Sequence, residues 1–144
     1  MSAMSQPWTT KSLFDALIAH EIPAHEPFHF TLVRGSEPVI EVVCNDHGGL
    51  TLHVSASGSR IFISAVLCTA ESVNDRAGFN DACLRLNPIT PLSNIGLQTT
   101  QTGDLYTVFG ELSAHSPLTN ILEEIDVLAH NALQVTDVLH PYIH

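Results

Sequence analysis

Four stretches between Phe28 and Cys68 fit extended chain, and only short turns separate them. Phe28, Phe30 and Leu32 alternate with His29, Thr31 and Val33, and Leu50, Leu52, Val54 and Ala56 alternate with Thr51, His53, Ser55 and Ser57. Val39–Cys44 and the run RIFISAVLC are more evenly apolar. Successive side chains of a strand point to opposite faces, so a period of two marks a strand with one face on a core. The separators GSEP, NDHGG and SGS are built from residues that accept turn conformations. Strands joined this closely run antiparallel, because a parallel return needs a crossover of about a dozen residues or more. The region reads as a four-stranded meander, which restricts the fold more than any other feature of the chain.

Helical spacing governs the remainder. Leu13, Phe14, Leu17 and Ile18 form a stripe behind Thr9 or Thr10 as cap, and Pro23 disfavours helix at Ile22, stopping the element near Glu21. After the meander, Asn74 or Asp75 caps a helix with Phe79, Ala82, Cys83 and Leu86 on its buried side, and Asn87-Pro88 ends it. NIGLQTT and LYTVFGEL form a hairpin about Thr102-Gly103-Asp104. In the last helix Ser116 is expected at the cap and Pro117 at the first helical position. Leu118, Ile121, Ile125, Leu128, Ala132, Val135 and Leu139 then recur at alternating steps of three and four, widened by Leu122, Ala129 and Leu133. The expected fold is a single α+β domain over residues 1–144, an antiparallel β-meander with helices packed on it in the order α-ββββ-α-ββ-α.

A chain of 144 residues with 44% apolar content can bury a core without disulfides or metals. Cys44, Cys68 and Cys83 lie in apolar stretches without metal-ligand spacing and read as small buried hydrophobes. There is no apolar run of about 18 residues and no signal-like N-terminus, so a cytoplasmic protein without membrane insertion is expected. Acidic residues outnumber Lys and Arg by 15 to 5. After Arg85 there is no Lys or Arg at all, whereas Asp104, Glu111, Glu123, Glu124, Asp126 and Asp137 lie there. Nucleic-acid binding needs clustered cations to displace counterions, so it is disfavoured.

The run HEPFH, His25 to His29, spells the zinc-protease pattern H-E-x-x-H. That chemistry needs a helix, on which residues four apart lie about 5–6 Å from each other and can share one ion. Pro27 pushes Glu26 away from helical angles, and Phe28 begins a strand, in which residues four apart are about 13 Å distant. HEPFH thus marks the boundary between helix and strand. The terminal HPYIH repeats the spacing at a fraying end, where any metal uptake is adventitious. No nucleophile elbow, phosphate loop or dinucleotide fingerprint is present, and the pair Glu123-Glu124 is expected on the solvated side of the last helix. No catalytic, metal or cofactor residue is assigned and no cofactor is expected. A small hydrolase or metal-binding enzyme using the histidines is the alternative.

A run of residues in the second half resembles a small bacterial family of unknown function typified by YjfI. The matching pieces are Phe79-Asn80, Leu84-Arg85-Leu86-Asn87, PLSNIGL from Pro91 to Leu97, and Tyr106, Val108, Phe109, Gly110, Leu112 and Ser113. Ser116, Leu118, Ile121, Leu122, Glu124, Ile125 and Asn131-Ala132-Leu133 follow. The resemblance covers roughly residues 40–137 and leaves HEPFH outside. It implies a cytoplasmic protein without assigned enzymatic activity, whose gene often neighbours one for a PspA-like membrane-stress coiled-coil protein. The order of elements is also similar to the secretion-chaperone-like fold of small acidic dimers that bind a partner chain, an analogy that does not fix function.

The expected function is a non-catalytic, protein-binding or chaperone-like adaptor, a homodimer with a protein partner, for which the resemblance suggests a PspA-like protein. Pro91, Leu92 and Ile95 in the PLSNIGL segment, with Leu128, Leu133 and Val135 on the last helix, are the candidate partner or dimer surface. An exposed sheet edge is a further place where an extended segment could add.

Overall fold

The computed structural model describes residues 6–20 and 27–144. His25 and Glu26 of HEPFH lie outside the described residues, whereas Phe28 and His29 open the first strand.

Helix α1 (Thr10–Ala19) begins at Thr9, whose side chain accepts from the Ser12 N–H while the Ser12 hydroxyl accepts from the Thr9 N–H. This reciprocal pair satisfies two donors that a helix start leaves free. Leu13 and Leu17 carry the stripe inward, but Ile18 is about half exposed and lies off the core. Strands β1 (Phe28–Val33), β2 (Val39–Cys44), β3 (Leu50–Ser57) and β4 (Arg60–Thr69) form the expected meander. Gly48 and Gly49 in the turn before β3 both have positive φ, at 67° and 78°, which explains glycine at both places. Helix α2 (Arg76–Leu86) follows, capped by the Asp75 carboxylate on the Gly78 N–H at 3.0 Å. Then come β5 (Asn94–Thr100), β6 (Gly103–Ser113) and α3 (Leu118–Leu139).

All pairings are antiparallel and the strand order is β1-β2-β3-β4-β6-β5. The chain leaves β4 through α2, descends along the sheet edge as β5, and returns as β6 between β4 and β5. All three helices cover one face. Ile40, Val42 and Cys44 from β2, Leu52 and Val54 from β3, Ile61, Ile63 and Ala65 from β4, and Tyr106 and Val108 from β6 meet Ile121, Ile125, Leu128, Ala132 and Leu139 of α3 in one buried cluster. The other sheet face has no layer over it among the described residues; Phe62 and Phe109 stack there at 5.5 Å. Two expectations change. Leu118 is the first helical residue of α3, with Pro117 extended at φ −61°, ψ 149° in the cap position. Ser116 stands one place outside, and its carbonyl accepts the Trp8 indole N–H at 2.8 Å. The C-terminal end is also tied down. Val73 and Ile143 form an antiparallel bridge, flanked by Asn74 N–H to Tyr142 C=O and His144 N–H to Ser72 C=O, both at 2.9 Å.

A candidate protein-docking edge

Strand β5 ends the sheet, and its backbone polarity follows from one side chain. The Asn87 carboxamide accepts from the Ile95 N–H at 2.7 Å and donates to the Ile95 C=O at 3.4 Å. Asn87 follows α2, so its amide imitates a paired strand at this one residue. In an antiparallel ladder alternate residues exchange bonds with the neighbour while those between point outward. Ile95 points away from β6, so Leu97 and Thr99, at the same period, do too. Among the described residues nothing of this chain pairs with the outward N–H and C=O of Leu97 and Thr99.

A groove runs beside this edge. It has a volume of about 240 Å³ and is lined by Asn80, Cys83 and Leu84 of α2, Ile95, Gly96 and Leu97 of β5, and Tyr106. Helix α2 is anchored on its inner side. Phe79 meets the Tyr106 ring edge-on at 4.5 Å and the Tyr142 ring at 5.9 Å, and the Tyr106 hydroxyl donates to the Asn80 carboxamide oxygen. The groove wall is thus fixed, while Leu84 and Leu97 at its rim are 70% and 48% exposed. A second groove, about 180 Å³, lies between α2 and α3 and is lined by Leu86, Ile89, Pro91, Val135 and Val138 among others. Of the large exposed apolar side chains among the described residues, Leu84 and Leu97 rim the first groove and Ile89 and Val138 line the second, whereas Ile18, Val33 and Val66 lie elsewhere. Concentrations of this kind on soluble proteins mark interaction surfaces.

The sequence-derived surface residues divide. Pro91, Leu92 and Leu133 are exposed, Pro91 lining the second groove. Ile95 and Val135 are buried and only line the floors of the grooves, and Leu128 is wholly inside the core, where the sheet claims it. Period alone cannot separate the core side of an apolar helix from a side open to a partner. Sequence reasoning missed the polar residues that shape the segment. Asn131, 4% exposed, donates to the Pro91 carbonyl at 2.7 Å and to the equally buried Ser93 hydroxyl at 3.0 Å. Glu124, expected in solvent, is 6% exposed and faces β6. A Cβ on Gly110 would fall 2.5 Å from its carboxylate oxygen and 3.1 Å from the Leu92 carbonyl. Burial pushes the Glu124 carboxyl pKa above its ordinary value, and neighbouring Glu123 adds to the rise. The available signal was a spacing of seven between Glu124 and Asn131, which puts both on one helical face.

Burial pushes the thiols of Cys44 and Cys83 up to about 11, the first helped by Asp126 and the second by Cys68, so both are poor nucleophiles at neutral pH. Among the described residues no three His, Cys, Asp or Glu side chains are grouped to hold a metal ion. No helix among them is long and apolar enough to cross a membrane.

Two solved structures share the architecture. An uncharacterized protein from Methanothermobacter thermautotrophicus superposes with a TM-score of 0.57 at 9% identity, covering 93% of this chain and 96% of that one. A chain of the heterodimeric ExoU-SpcU complex from the type III secretion system of Pseudomonas aeruginosa superposes with a TM-score of 0.51 at 14% identity, covering 90% and 97%. At such identities the likeness shows the fold alone, and it is the α+β, secretion-chaperone-like arrangement expected from the order of elements. By sequence, the uncharacterized protein YjfI of Escherichia coli K12 is 33% identical over 112 residues, 78% of this chain and 84% of the relative; its counterpart in strain O157:H7 gives the same figures. With a family profile matching residues 7–143, the chain belongs to the bacterial family of uncharacterized proteins DUF2170.

Proposed function

We propose that the protein is a non-catalytic, cytoplasmic adaptor that holds an extended segment of a partner protein against the free edge of β5. The observation that carries this reading is the outward backbone of Leu97 and Thr99 beside a groove lined by Leu84, Ile95 and Leu97. An edge strand supplies a row of main-chain donors and acceptors to an added strand, and the flanking groove receives alternate side chains. A net charge of −10 favours a segment that carries Lys or Arg between its apolar residues. The ExoU-SpcU complex offers support from architecture, since a chain of this fold occurs there in a two-protein assembly. A PspA-like protein is the partner proposed, and a homodimer the proposed state of the adaptor.

The test is Leu97→Pro with Leu97→Ala as control. Proline removes an N–H that points outward and leaves the β5–β6 ladder intact, so Tm should stay close to the parent's. Co-purification with a co-expressed PspA-like protein should survive the alanine change in large part and be lost with proline. Equal retention by both variants would refute docking at this edge, and no retention by the parent would refute the partner. Light scattering with increasing concentration tests the homodimer.

A further inference from the structure

Leu92 is the one non-glycine residue with positive φ among the described residues, at 66°. Glycine and asparagine enter that region at little cost, whereas the Cβ of a leucine resists it. Burial does not compensate, because the side chain is 60% exposed. The backbone path is imposed from both sides. Asn131 holds Pro91 and Ser93, the Thr90 hydroxyl donates to the Leu86 carbonyl at 2.7 Å, and the Leu92 carbonyl packs against Gly110. These bonds hold the neighbours of residue 92, and the one contact of residue 92 itself, its carbonyl against Gly110, uses main chain that a glycine would keep. The structure thus holds an apolar side chain outward, in a strained conformation, without using it for packing. Such strain persists where a surrounding scaffold enforces it and is a pointer to function.

The position defines what the side chain meets. Leu92 lines a depression on the uncovered side of the sheet with Asn94, Phe109 and Glu111, and β5 begins two residues later. We propose that Leu92 is the anchor side chain of the docking edge, a rigid knob on which an apolar residue of the added segment seats at the N-terminal end of β5, with a neighbouring Lys or Arg of that segment meeting Glu111. This rests on the reading of β5 as the edge that binds a partner. Clamped apolar anchors carry a large share of interface affinity because little ordering remains to be done on binding.

The probe is a fluorescein-labelled decapeptide of alternating Val and Lys, titrated by anisotropy against the parent, Leu92→Asn, Leu92→Met and Leu97→Pro. Asparagine suits the left-handed backbone, so Leu92→Asn should have a Tm equal to the parent's or higher by about 2–4 °C. Its affinity for the peptide should fall about tenfold or more, while Leu92→Met stays within about threefold of the parent. If Leu92→Asn melts well below the parent, the side chain is structural and the proposal falls. If Leu92→Asn binds as the parent does while Leu97→Pro does not bind, the proposal falls and the edge reading stands. If the parent itself fails to bind the peptide, the edge reading fails and takes the anchor with it.

Discussion

Asn131→Ala is the sharpest test of how the Pro91–Ser93 segment is held on α3. The carboxamide bonds a backbone carbonyl at 2.7 Å and a buried hydroxyl at 3.0 Å, and both Asn131 and Ser93 are only 4% exposed. Each lost bond is worth about 1 kcal/mol net, and stranding a buried partner adds desolvation of about 1–3 kcal/mol. A total near 3 kcal/mol follows, with water reaching the Pro91 carbonyl at the exposed rim as the moderating factor. For a chain of this length that lowers Tm by about 10 °C. Urea unfolding would measure the free energy directly, and m should hold because the native surface changes little. A cycle with Ser93→Ala isolates the side-chain pair: Ser93→Ala should cost about 1 kcal/mol less in the Asn131→Ala background than alone. A loss under about 0.5 kcal/mol, typical of surface substitutions, or strict additivity in the cycle, would refute the clamp.

Two further predictions concern α3 and α1. Glu124 has a folded pKa above its ordinary value of 4.5, so the stability it lends is complete below that value and is lost as pH rises through the folded pKa. Glu124→Gln should therefore gain in Tm relative to the parent as pH rises above about 4.5 and melt above it at neutral pH; a Tm difference between the two that is independent of pH would contradict this. Thr9→Ala removes the reciprocal cap of α1 and should cost about 1 kcal/mol in chemical denaturation. A change indistinguishable from zero would mean that α1 is held by Leu13 and Leu17 alone.

Sequence and tertiary structure divided the work unevenly. Leu50–Ser57 is legible from its period and turn residues, and Val39–Cys44 from an apolar run held between the turns GSEP and NDHGG, because both signals act within a few residues. The same holds for α2 between Asp75 and Asn87, where a cap and a proline stop act within one turn. The placement of β6 between β4 and β5 was not legible, since hairpin signals report pairing within β5–β6 but not which of its strands meets β4. That choice decides the candidate site: it leaves β5 as the edge. Glu124, expected in solvent, is buried because Gly110 leaves space for it, and Asn131, which carries no burial signal in its own neighbourhood of the sequence, finds its partners in the Pro91 carbonyl and the Ser93 hydroxyl. Leu92 likewise gave no signal of its left-handed backbone, which contacts distant in sequence impose. Elements governed by interactions within a few residues were written in the sequence by itself. The sheet edge, the buried polar clamp and the strained leucine depend on groups brought together by the fold, and only the tertiary structure could decide them.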